Sequence, residues 1–266
     1  KYIGDQTSIM AKFEKPLAIK RMDDILSHCD AAMVARGDLG VEMPPEEVPI
    51  LQKRLVDHSR EHGKPVVVAT QMLDSMVNAP SPTRAEASDV ATAVFDAADS
   101  LMLSAETASG KFPVESVKMM SDVANSIDKD LDLRNFNRYI QQRKRSIIDT
   151  RSSICHAAMI LSNDLEINNI VIMTETGLTA MKMARYRPKA NIFALCTINK
   201  IFYQLSMIWG ITPILVNPYS TTDQMIQDTG TLLKEYGNFS SGDLFIITAG
   251  VAAGKSGSTN MLKIHE

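Results

Sequence analysis

Cysteine is scarce: Cys29, Cys155 and Cys196 stand far apart in 266 residues. Their odd number and wide spacing exclude a disulfide framework and a zinc-type ligand set, and a reducing cytosol is the expected compartment. Long apolar runs are missing too. The stretch "FYQLSMIWGITPILV" (202–216) is interrupted by polar residues and falls short of a membrane span. Neither sign of charge dominates, with 28 basic against 31 acidic residues and a net charge of -3, so no basic face for nucleic acid is expected. The first residues, "KYIGDQTSIMAKFEK", contain no signal-peptide core and no initiator Met, which suggests a chain that begins within a longer protein. What is present, 45% hydrophobic and 22% charged residues, is the balance of an ordinary globular protein long enough for one or two domains.

Four apolar runs in the first half end in small or polar residues: "IMAKFE" (9–14), "AAMVARGD" (31–38), "PVVVATQ" (65–71) and "SLMLSAET" (100–107). Helical patterns separate them. "PPEEVPILQKRLVDHSREHG" has prolines and glutamates suited to a helix start and Gly63 suited to its end, and "SPTRAEASDVATAVFDAAD" follows. Such alternation predicts a parallel sheet of buried strands. The charged stretch from about Asp128 to Ser146 reads as an interdomain connection, giving domains 1–130 and 131–266. Beyond it, "ICHAAMIL" is helical, and "NNIVIMT", "NIFALC", "TPILVN" and "DLFIITAG" are strand-like. "NMLKIHE" is a final edge strand, and the whole predicts a small doubly wound α/β domain. The loop "TAGVAAGKSG" (248–257) imitates a P-loop, but only three residues separate Gly250 from Gly254 where four are required.

Lys12 and Glu14 are two apart on a strand and share a face, opposite Ala11 and Phe13. A cation and a carboxylate at a strand end are costly to bury, which leaves two readings: an internal ion pair, or a metal carboxylate beside a charge-stabilising lysine. "ARGDLG" favours the second. Asp38 follows the next strand in what reads as a tight glycine turn with N–H groups free for an anion, and Glu14 with Asp38 would suit Mg²⁺. Thr70 closes the third strand, and Ser104 and Glu106 take the corresponding place on the fourth. Polar residues at four successive strand ends are the pattern of a barrel active site.

The series "AKFEKP", "MVARGDLGVE", "PVVVATQMLDSM", "PTRAEASDVATAV" and "MLSAETASGKFP" resembles, in order and spacing, the second half of the pyruvate kinase barrel. "TETGLTAMKMARYRPKA" and the closing "GSTN" are similar to that family's C-terminal domain. The resemblance implies the C-terminal half of a TIM (β/α)₈ barrel followed by a small α/β domain. It implies Lys12 as the lysine stabilising the transferring phosphoryl group and the enolate, and Glu14 and Asp38 as ligands of Mg²⁺ or Mn²⁺, with K⁺ assisting. The Ala35–Asp38 turn, with Arg36 and Gly37, would receive the substrate carboxylate, and Thr70 would stand beside the methylene carbon. Arg84 would lie at the subunit interface of a homotetramer. The substrates implied are phosphoenolpyruvate and ADP, and the location is the cytoplasm. Thr174, Thr176, Gly177, Thr179 and Lys255 are the residues implied for the phosphate of a sugar or nucleotide effector, with "AGVAAGKSGSTN" as the effector-side loop.

Only four barrel-like strands are present where closure needs eight, leaving two open edges and an exposed inner face. The chain by itself is therefore expected to be inactive as a kinase. Two alternatives are a Mg²⁺-dependent aldolase or lyase barrel acting on pyruvate-like substrates, and a non-catalytic effector-binding module.

Overall fold

The computed structural model describes residues 7–130, 149–219, 221–236, 239–240, 242–250 and 259–266. The chain divides into two compact units, residues 1–132 and 133–266. Of the charged 128–146 stretch, residues 131–146 lie outside the described residues, as does Lys255 with its loop.

In the first unit four parallel strands, β1 (Met10–Phe13), β2 (Ala31–Ala35), β3 (Val66–Ala69) and β4 (Ser100–Met102), lie side by side in chain order. The helical segments between them are α1 (Pro16–Lys20) and α2 (Met22–Ser27), then α3 (Arg36–Glu42) and α4 (Val48–Glu61), then α5 (Arg84–Phe95). The short α6 (Ala105–Ala108) and the long α7 (Pro113–Asp130) follow β4. All of β3 is buried, as is all of β2 but Met33, so these strands read as continuous apolar runs. Helix α4 turns Leu51, Leu55 and Val56 inward at helical spacing, onto a core with Phe13, Val34 and Val68. It ends at Gly63, whose φ of +67° is the left-handed conformation a helix stop favours. Among the described residues, strands β1 and β4 form the edges of this sheet and it does not close on itself.

Two expectations are corrected here. "ARGDLG" is not a glycine turn: β2 passes directly into α3, and neither Gly37 nor Gly40 is among the glycines with positive φ. The Gly37 N–H is not free for an anion either, because it donates to Thr70 Oγ1 at 2.7 Å. Likewise β4 stops at Met102, so Ser104 and Glu106 belong to the start of α6 rather than to the strand.

The second unit has strand order β7-β6-β5-β8-β9. Strands β5 (Asn169–Met173), β6 (Asn191–Cys196), β7 (Ile211–Leu215) and β8 (Phe245–Ala249) are parallel, and β9 (Met261–His265) is the antiparallel edge. Alternate residues feed two cores. Ile170 and Ile172 pack in one cluster with Cys155, Ala158 and Met183, from α8 (Thr150–Asp164) and α9 (Leu178–Ala184). Val171 joins Phe193, Met225 and Leu233 in the other; the last two come from α11 (Thr222–Tyr236), which follows α10 (Asn199–Leu205). This is the doubly wound arrangement expected. All three cysteines are buried and free, and burial pushes the Cys155 thiol up to about 12, leaving it without thiolate character at neutral pH.

Helix α5 begins with a capping box: Thr83 Oγ1 accepts from the Glu86 N–H at 3.3 Å, while the Glu86 carboxylate accepts from the Thr83 N–H at 2.7 Å. The same carboxylate takes the Ser75 N–H at 2.7 Å and its hydroxyl at 2.6 Å. Burial raises the Glu86 pKa, but these hydrogen bonds outweigh it and the net shift is downward. A depressed folded pKa gives stability that is complete above the ordinary carboxylate range and lost as pH falls through the folded value. Thr83→Ala is expected to cost about 1 kcal/mol in urea unfolding at neutral pH. Glu86→Gln should also flatten the decline of stability below the carboxylate range; an unchanged acid limb would contradict the role given to this carboxylate.

Candidate active site

Lys12 leaves β1 on the face opposite fully buried Phe13. Its Nζ lies 2.6 Å from Glu14 Oε2 and 2.8 Å from Asp38 Oδ2, so one ammonium bridges carboxylates from the ends of two neighbouring strands. The hydrogen bond from Lys12, followed by its charge, holds the Asp38 carboxyl below its usual range, and hydrogen bonds to Asp38 and Glu14 raise the lysine. All three side chains are a third to a half exposed, leaving the cluster open on one side. Beside it, Lys15 pairs with Glu42.

One residue back from Asp38, the Gly37 N–H reaches Thr70 Oγ1, and that hydroxyl donates to the Ala69 carbonyl at 2.6 Å. A Cβ at Gly37 would stand 3.3 Å from the same oxygen, so the bare glycine is what admits Thr70 so closely. Thr70 has φ 70° and Gln71 φ 53°. A β-branched residue in this region is a true outlier, costing on the order of 1–3 kcal/mol, and it persists only where its surroundings over-determine it.

Three groups do so. The Arg36 guanidinium donates to the Thr70 carbonyl at 2.7 Å and to that of Gln71 at 3.3 Å. Glu106, 2% exposed, accepts from the Leu73 N–H at 3.2 Å and the Ser104 N–H at 2.6 Å. Glu86 holds Ser75. The chain after β3 is thus pinned from three elements.

The structure therefore brings together Lys12, Glu14, Gly37, Asp38 and Thr70, with buried Ala35 closing β2 beneath them. Arg36, grouped in the sequence with the substrate-binding turn, instead sends its side chain inward and is 8% exposed. Arg84 stands exposed at the first position of α5, apart from the cluster. In the second unit Thr174 Oγ1 accepts from the Gly177 N–H at 2.9 Å, and the Thr179 hydroxyl pairs with that of Thr259 at 2.7 Å. Of these threonines Thr176 alone is exposed. The strand order reverses between β5 and β8, and in open α/β sheets ligands bind beyond the carboxyl ends of the strands at such a point, where the loop after β5 begins. The inward role of Arg36 and the work of Glu106 have no sequence signature, whereas Thr83-x-x-Glu86 is a capping-box pattern that could have flagged Glu86.

Two family models match: the pyruvate kinase barrel domain over residues 2–117 and the pyruvate kinase alpha/beta domain over 152–265. The chain belongs to the pyruvate kinase family. A pyruvate kinase from Sporosarcina psychrophila is 42% identical over 98% of this chain and 44% of its own length. One from Clostridium acetobutylicum is 40% identical over 98% of this chain and 55% of its own. The crystal structure of a pyruvate kinase from Cryptosporidium parvum superposes with a TM-score of 0.91 at 35% identity, covering 97% of this chain and 51% of that one. The chain spans about half the length of the curated relatives it matches. With both units assigned to one pyruvate kinase architecture, the aldolase and effector-module alternatives are not favoured.

Buried Glu106 offers a direct test of the pinned segment. Glu106→Gln sets one amide N–H₂ against a backbone N–H, and about 1–3 kcal/mol of stability should be lost in urea unfolding. No loss would mean that the carboxylate is dispensable to the segment after β3. Lys12→Met should let the Asp38 carboxyl rise toward its ordinary value, followed by its ¹³C shift on acid titration; an unmoved titration would remove the lysine as the cause.

Proposed function

We propose that the native protein transfers the phosphoryl group of phosphoenolpyruvate to ADP, giving pyruvate and ATP, and that Lys12, Glu14, Ala35–Asp38 and Thr70 are this chain's share of the site. The observation that carries the reading is one ammonium within 2.8 Å of two carboxylates, joined through Gly37 to a hydroxyl on strained backbone.

In the reaction the bond between phosphorus and the enol oxygen breaks and a bond from phosphorus to a terminal ADP oxygen forms. The remaining enolate takes a proton at its methylene carbon. Such transfers need positioning and neutralisation of oxygen charge more than covalent work. Lys12, held fully protonated by its two partners, supplies a fixed positive charge to the transferring oxygens and the enolate. The Thr70 hydroxyl, aimed by Gly37, is read as the group beside the methylene carbon. The backbone of Ala35–Asp38 is read as the seat of the substrate carboxylate, with the Gly37 N–H given to Thr70 Oγ1 rather than to the anion.

Glu14 and Asp38 fit a divalent ion: both are hard oxygen donors, both reach the same ammonium, and Asp38 is kept ionised. They would hold Mg²⁺ or Mn²⁺, which when bound supplies Lewis-acid polarisation of substrate oxygens. K⁺ is proposed as a second cation, with no described residue assigned to it. Domains 1–130 and 131–266 are proposed as catalytic and as effector or assembly domains, in a cytoplasmic homotetramer with Arg84 at a subunit interface. For the effector phosphate, the strand reversal at β5 and β8 supports the loop carrying Thr174, Thr176, Gly177 and Thr179; Lys255, outside the described residues, is proposed as a second contact.

The test is Lys12→Met in the native protein. Turnover of phosphoenolpyruvate and ADP should fall by roughly 10²–10³ or more, while Mn²⁺ binding, read by electron paramagnetic resonance, is mostly kept because Glu14 and Asp38 remain. Near-normal turnover would strip Lys12 of this role.

A further inference from the structure

We infer that Arg36 is a positioning residue: its guanidinium, anchored by Asp89, fixes the Thr70–Gln71 corner and so aims the Thr70 hydroxyl. The inference rests on the role proposed above for Thr70.

Arg36 sits in the segment that sequence reading assigns to substrate, yet its side chain points away from the open side of the cluster and is 8% exposed. One terminal nitrogen donates to Asp89 Oδ1 at 2.6 Å, with Gln52 Oε1 at 3.5 Å. The other faces the carbonyls of Thr70 at 2.7 Å and Gln71 at 3.3 Å, with Met72 Sδ at 2.8 Å. Asp89 lies on α5 and Gln52 on α4, so one planar cation ties two helices to the end of β3. Its contacts at that end fall on the two residues with positive φ and on their immediate neighbour.

Consecutive residues grip Thr70 at two points: Arg36 takes its carbonyl and Gly37 its hydroxyl. With the carbonyl released, Glu106 and Glu86 still hold the chain only from Leu73 onward, so the Thr70–Gln71 peptide plane can turn and carry the hydroxyl with it. Lysine cannot substitute, because a single ammonium cannot span two carbonyls and a carboxylate as a rigid fork does.

A residue that merely glues helices to the sheet would lower stability wherever it is removed, whatever stands at position 70. A residue acting through Thr70 loses its effect once that hydroxyl is gone. The experiment is a double-mutant cycle in the native protein, with Arg36→Lys, Thr70→Ala and the pair, each checked for folding by thermal melt. Arg36→Lys should lower kcat about 100-fold while leaving KM for phosphoenolpyruvate within roughly threefold. In the Thr70→Ala background the same change should lower kcat by less than about threefold. Equal losses in both backgrounds would overturn this inference alone. A Thr70→Ala protein with unaltered kcat would overturn the role of Thr70 and this inference with it. Should Arg36→Lys melt below the assay temperature, Asp89→Asn replaces it in the same cycle with the same expected pattern.

Discussion

Strands buried on both faces leave polar side chains only the strand ends, and the first unit is organised by that constraint. Strands β2 and β3 give their length to the core, so the ion cluster and Thr70 appear where the chain leaves the sheet. Parallel pairing adds a second consequence. It puts the exits of successive strands on one side of the sheet, so residues distant in sequence arrive together without any long loop to carry them. Lys12 and Asp38 meet across 26 positions, and Gly37 and Thr70 across 33.

Convergence at the exits has to be held against strain and charge. The ammonium of Lys12 balances two carboxylates that would otherwise repel each other. The corner after β3 is held by groups from the exits of β2 and β4 and from α5, each satisfying backbone that the sheet itself leaves unpaired. Thr70 is placed by its neighbours rather than by its own backbone preference, the usual signature of a residue kept for geometry.

Much of this was legible in the sequence. Every apolar run read as a strand overlaps one, with β7 beginning one residue before its run, because a buried parallel strand is a short unbroken run bounded by polar residues. The two-residue spacing of Lys12 and Glu14 placed them on one face, and the strand-end position of Asp38 brought it to them. What was not legible has a common cause. Glycines at 37 and 40 argue for a turn on local preference, yet tertiary contacts, with Leu39 fully buried, make the segment helical. Arg36 meets Thr70 at a separation of 34 and Asp89 at 53, and nothing near Arg36 in the sequence tells an inward guanidinium from an outward one. The positive φ of Thr70 was hidden for the same reason, since residue preference argues against it.

The carboxylate of Glu86 also bears on how the unit opens. It accepts from the backbone N–H groups of both Ser75 and Thr83, closing a ring of chain between the turn after β3 and the start of α5. Both amides have this one side chain as acceptor, so a motion that swings the Glu86 carboxylate away leaves both without it at once. Ser75 and Thr83 therefore belong to one unit of local unfolding, and their amide hydrogens should exchange together, although one lies in a turn and the other caps a helix.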